Sequence, residues 1–154
     1  FFLFFVVNFF ISLKTKHMNT KTLVAGILAG IVSFLLGWLI YGMLLMDFFK
    51  KHSLHYNGLD KNPPDFLYLS IGNLLMGILT AYVVALGNGN NAKKGFTIAA
   101  IVGFLVSSGM DSIMFAQMNL GSRTSILVDV IAATILSGII GAFVGWWYGR
   151  KPAA

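Results

Sequence analysis

The chain has 154 residues, of which 57% are hydrophobic and 10% are charged, and its mean hydropathy is +0.81. A soluble globular domain has about 25% charged residues, so this chain has too few charges to cover a water-exposed surface. The net charge of +6 comes from scattered Lys and Arg residues that form no basic face, which argues against nucleic-acid binding, and the absence of cysteine excludes disulfides and thiolate metal sites.

Residues 1–17 differ from the rest of the chain. They open with the apolar run FFLFFVVNFFISL, which is too short to span a bilayer. The basic residues Lys14 and Lys16 follow this run, whereas a secretory signal carries its basic residues first. Met18 then begins a segment typical of a bacterial start. We interpret residues 1–17 as translated upstream sequence; the alternative is an interfacial or partly inserted segment.

The remainder, residues 18–154, is predicted to form a single membrane domain, an all-α four-helix transmembrane bundle. Its four apolar stretches cover about residues 23–46, 66–86, 96–115 and 126–148. Each approaches the ~20 residues that a helix needs to cross the hydrocarbon core. Contact with the lipid bilayer therefore follows from the pattern.

Each predicted span carries small residues on one face. In the first span, Gly26, Gly30, Ser33 and Gly37 fall within roughly 60° of the helix circumference. Because lipid supplies no hydrophobic force between helices, small residues favour packing by close approach. A glycine-lined substrate passage is the alternative. The glycines predicted to pack are Gly26, Gly30, Gly37, Gly77, Gly103, Gly138, Gly141 and Gly145.

Four polar residues form a candidate intramembrane site. An acidic residue at the centre of a membrane helix costs roughly 2.5–3.5 kcal/mol on insertion scales, so its presence calls for a structural or functional reason. Asp111 and Asp129 lie toward the same end of the third and fourth spans, and Asn73 lies toward that end of the second. Arg123, in the loop between the aspartates, is predicted to pair with both as a structural clasp. The alternatives are a proton- or cation-handling site and snorkelling to water.

The loop after the first span contains His52 and His55, near Asp47 and Asp60. A zinc site needs three or four ligands of fixed geometry, and this spacing alone is weak support for one. We interpret both histidines as exposed loop residues and predict no metal and no cofactor.

The basic residues predict the orientation. Seven lie at the end that holds both termini and four at the other end. Positive residues favour the cytoplasm, so both termini are predicted to be cytoplasmic, in a bacterial inner membrane.

Several short motifs resemble an uncharacterised family of small four-span bacterial membrane proteins, domain of unknown function 1761. The matching residues are Ala25-Gly26, Phe34, Gly37-Trp38, Tyr41-Gly42, Ala81-Tyr82-Val83-Val84-Ala85, Arg123 and Val128-Asp129. In that family a proline usually follows the Tyr-Gly pair, where this chain has Met43. The family has no established activity, so the resemblance implies a four-span architecture and directs attention to Tyr41, Gly42 and Asp129.

Three functions follow as hypotheses. The leading one is a non-enzymatic structural or accessory bundle that can form homo-oligomers. The second is a small transporter or channel for an unidentified ion or small molecule, with its polar site in the outer half of the bundle. The third, a membrane enzyme, lacks a convergent acid, base and nucleophile.

Overall fold

The computed structural model describes residues 20–150, apart from residues 55, 57, 60 and 62. The interpretation of residues 1–17 and any metal binding through His55 or Asp60 lie outside the described residues. The described part contains α1 (Thr20–Leu39), a π-helical turn (Ile40–Leu44) that continues α1, α2 (Met46–His52), α3 (Phe66–Leu86), α4 (Ala92–Gln117) and α5 (Arg123–Gly149).

Four of these helices are long and apolar enough to cross a membrane: α1 with its π-helical turn, α3, α4 and α5. The predicted all-α four-helix bundle is confirmed, and the protein is a multi-pass membrane protein. Helices α4 and α5 begin three or four residues before their apolar stretches. Asn91 and Ser122 explain this, because their side chains accept hydrogen bonds from Lys94 N and Ser125 N and so cap the helices within the polar loops.

The bundle consists of two tightly packed helix pairs. Helix α1 packs mainly on α3, and α4 packs mainly on α5, while α5 also contacts α1 and α3. In contrast, α3 and α4 make few contacts with each other. We call the end that holds the start of α1 and the end of α5 the terminal end, and the opposite end the loop end.

The α1–α3 pair crosses at glycines. Gly77 of α3 lies directly against the backbone of Gly26 and Gly30, and a Cβ atom added to Gly77 would lie 2.6 Å from Gly26 O. A Cβ atom on Gly30 would lie 2.8 Å from the Leu74 Cα. Gly37 is less constrained, because its nearest neighbour would be Asn73 Oδ1 at 4.0 Å. The closest approach of α1 and α3 therefore lies in the terminal half of α1.

The α4–α5 pair also packs closely at glycines. Gly95 lies against the Gly141 backbone, and a Cβ atom on Gly95 would lie 2.9 Å from the Gly145 Cα. Gly103 faces Ser137. A Cβ atom on Gly138 would lie 2.6 Å from the Phe96 ring. Gly95 was missed by the sequence prediction, because the predicted span began one residue later and assigned this glycine to the loop.

Candidate functional site

The π-helical turn positions Tyr41. The sequence predicts an unbroken helix to about residue 46, but Leu45 N donates to Ile40 O at 2.8 Å, five residues back. Such turns insert one extra residue into a helix and are frequent at functional sites. The Tyr41 ring stacks on Phe49 of α2, with centroids 5.9 Å apart. Its hydroxyl lies close to the Asp129 carboxyl group of α5.

Asp111 and Asp129 form the centre of the site. Both side chains are partly buried, and their carboxyl groups lie close to each other and line the same two cavities. Ser107, one turn before Asp111, donates to Asp111 Oδ2 at 3.3 Å. Two nearby carboxylates repel each other when both are ionised, and a proton bound by one of them relieves that repulsion. The pair is therefore able to hold a proton between α4 and α5, with Tyr41 contributed by α1.

Arg123 does not take part in this cluster. Among the described residues it forms no ion pair with Asp111 or Asp129, and its side chain is exposed. The predicted clasp is wrong for a geometric reason. Arg123 begins α5, and Asp129 lies six residues on, roughly 9 Å along the axis and about 120° around it. The two side chains thus leave the helix in different directions.

Asn73 also lies away from the aspartates. Its Oδ1 accepts a hydrogen bond from the buried Ser33 hydroxyl at 2.8 Å, and its Nδ2 donates to Leu69 O at 2.9 Å. Both ends of the amide are used within the α1–α3 pair. Asn73 therefore acts as a packing residue, and the predicted four-residue site is reduced to its two aspartates.

Two cavities meet at the aspartate pair. One, of about 200 Å³, lies toward the loop end and is lined by Phe49, Ser53 and Gly121 as well as both aspartates. The other, of about 230 Å³, lies between α3, α4 and α5 and also reaches both aspartates. No Lys, Arg or His side chain lines either cavity in the described part of the chain. The two aspartates thus lie between the two cavities, and no described residue of either cavity wall supplies a basic counter-ion.

A short backbone pairing borders the loop-end cavity. Leu54 N donates to Leu120 O at 2.9 Å, and Ser122 N donates to His52 O at 3.1 Å. These bonds flank an antiparallel bridge between Ser53 and Gly121. We call residues 52–54 and 120–122 the loop-end latch. It joins the end of α2 to the α4–α5 loop at the loop end of the site.

Of the two loop histidines, only His52 is among the described residues. Within the part of the chain that the structure describes, no group of three His, Cys, Asp or Glu side chains is arranged to hold a metal ion. His52 Nδ1 lies 2.9 Å from the Phe48 carbonyl oxygen, so this nitrogen is already engaged.

Fold and site define a four-span membrane protein with a protonatable carboxyl pair inside its bundle. Comparison of the chain with protein-family models, with curated proteins and with solved structures found no match. The resemblance to domain of unknown function 1761 stays an expectation drawn from the short motifs. Tyr41, missing from the predicted site, was recognisable only through that resemblance, because its position in the chain suggests an ordinary interfacial aromatic residue.

Proposed function

We propose that the protein is a small transporter that carries protons across the bacterial cytoplasmic membrane, with Asp111 and Asp129 as its proton-carrying groups. The observation that carries the proposal is the placement of two neighbouring carboxyl groups where two cavities meet. Two acidic side chains within membrane helices are costly, and no basic side chain among the described residues lines either cavity to offset that cost. A structural clasp would need Arg123, which lies elsewhere.

The depth of Asp111 and Asp129 within their membrane spans is consistent with proton transport. Asp129 lies about 9 Å from the start of α5, and Asp111 lies about 9 Å from the end of α4, by residue count at 1.5 Å per residue. With both termini cytoplasmic, as the charge distribution indicates, the site lies in the outer half of the bundle. The loop-end latch then lies on the external side of the site. The proposal assigns no enzymatic activity.

Potential-driven proton entry into liposomes tests the proposal. The purified protein is reconstituted with entrapped pyranine, and valinomycin with a potassium gradient imposes an inside-negative potential. We expect the dye to report proton entry several-fold faster than in protein-free liposomes, because loading and release need only the two cavities to open in turn. Proton entry at the rate of protein-free liposomes would contradict the proposal.

Cross-linking the loop-end latch gives a second prediction. Residues in a non-hydrogen-bonded antiparallel pair have Cα atoms about 4.5 Å apart, which a disulfide can bridge. Since the chain has no cysteine, Ser53→Cys with Gly121→Cys introduces only this pair. A Cβ atom at position 121 meets only the Ser125 side chain, with its hydroxyl at 2.7 Å, and that hydroxyl can rotate. We expect oxidation to stop proton entry and reduction to restore it.

The two single-cysteine variants are the controls for the latch experiment, and oxidation is expected to leave their proton entry unchanged. Mass spectrometry establishes that the disulfide has formed. Full proton entry through the cross-linked protein would show that the latch is static and that the site does not open at the loop end.

A further inference from the structure

The cavity between α3 and α4 is an apolar groove with an acidic base. Its walls come from two helices that make few contacts with each other, whereas each packs closely on another partner. Six residues form the apolar walls: Met76, Leu79, Val83, Val102, Val106 and Met110. Asp111 and Asp129 lie at the base.

The walls of this groove face the surroundings of the bundle. Met76 is 47% exposed and Leu79 40% on α3, and Val106 is 42% exposed and Met110 57% on α4. All four lie within spans long enough to cross the bilayer, so their exposed surfaces contact lipid. A molecule dissolved in the bilayer can therefore reach the aspartates sideways, without passing the loop-end latch.

We infer that this groove, the α3–α4 groove, admits an amphipathic organic cation from the bilayer and holds its charge against Asp111 and Asp129. The inference rests on the proposed function, because protons bound by Asp111 and Asp129 would compete with the cation for the same carboxyl groups. Charge complementarity selects the ligand: the base presents two carboxyl groups, and no basic side chain of the described residues lines the groove. Attraction between opposite charges is strong in a low-dielectric site, and the apolar walls suit the rest of the molecule.

Binding of radiolabelled methyltriphenylphosphonium to the full chain in nanodiscs tests the inference. This probe is a permanent, lipid-soluble cation. We expect saturable binding to the wild-type protein. Asp111→Asn and Asp129→Asn are each expected to weaken binding at least tenfold, and Asp47→Asn, which changes an exposed aspartate at the loop end, is expected to leave it unchanged. Tetraphenylborate, a lipid-soluble anion of similar build, is expected not to compete.

A matched pair of substitutions on α4 tests the lateral route. Val106→Trp places a large ring in the groove wall, whereas Ile101→Trp places the same ring at a position that is 55% exposed and outside the groove. We expect Val106→Trp to reduce binding at least fivefold and Ile101→Trp to have no effect. Equal binding by both variants would overturn the assignment of the site to the groove.

The outcomes separate this inference from the proposed function. Absence of saturable binding, as expected if the groove holds only lipid acyl chains, overturns the cation assignment. If the wild-type protein still conducts protons, the proposed proton transport stands without this ligand. Saturable binding that both Asn variants retain also overturns the inference, because the carboxyl groups would not recognise the charge. Binding that requires both aspartates, in a protein that conducts no protons, supports the site and contradicts the proposed transport.

Discussion

Replacing Asp129 with asparagine is expected to reduce potential-driven proton entry to the level of protein-free liposomes. The amide has nearly the same size as the carboxyl group and retains both an acceptor and a donor, but it does not take up or release a proton near neutral pH. Removing one of two neighbouring carboxyl groups also removes the need for a shared proton. The proton-carrying pair is therefore lost while its packing is retained.

The same variant is expected to remain folded. Its melting temperature in detergent should stay within about 3 °C of the wild-type value, which corresponds to about 1 kcal/mol for a chain of this size. A salt-bridged clasp would behave in the opposite way, because breaking a buried ion pair leaves an uncompensated charge and is strongly destabilising. A large loss of thermal stability together with normal proton entry would contradict the transport proposal and favour a structural role for Asp129.

The second large effect is expected at the α1–α3 crossing. Gly77→Leu should prevent assembly of the bundle, because even a Cβ atom at this position would overlap the backbone of Gly26 and Gly30. Backbone atoms within a helix cannot rotate aside, so we expect a cost at or above the ~3 kcal/mol upper range for overpacked cores. Gly30→Leu is expected to act alike, since its Cβ atom would meet the Leu74 Cα at 2.8 Å. Size-exclusion chromatography and thermal unfolding in detergent measure the effect.

Gly72→Leu is the matched control for Gly77→Leu. It changes a glycine of the same helix to the same residue, but a Cβ atom at Gly72 would meet nothing within 4 Å. We expect a monodisperse elution profile and unchanged thermal unfolding, with at most a slight gain because leucine has the higher helix propensity. Normal assembly of Gly77→Leu would show that α1 and α3 do not approach closely at this point.

Much of the architecture could be predicted from the local sequence. Length and hydropathy are enough to identify a membrane-spanning helix, because every backbone polar group in lipid must be satisfied within the segment. The small-residue faces likewise indicated helix packing, and the structure places Gly26, Gly30 and Gly77 together at one crossing and Gly141 and Gly145 at another. The pairing of spans was not predictable, since every span carries such a face.

The candidate site was predicted in part. Asp111 and Asp129 stood out because acidic residues inside apolar spans are costly, and depth along each span placed them at the same end. Sequence proximity was a poor guide to their partner. Arg123 lies close to both in the chain but leaves α5 about 120° from Asp129, whereas Tyr41 is distant in the chain and close in the fold.

Hydropathy and residue spacing along the chain were thus sufficient to establish a four-span membrane bundle with two acidic residues in one half of it. They could not establish the π-helical turn that directs Tyr41 toward Asp129, the Ser53–Gly121 bridge or the open side between α3 and α4. These features depend on which helices pair and how each is rotated about its axis. That choice is made by contacts among all four helices, and no single span carries the information that specifies it.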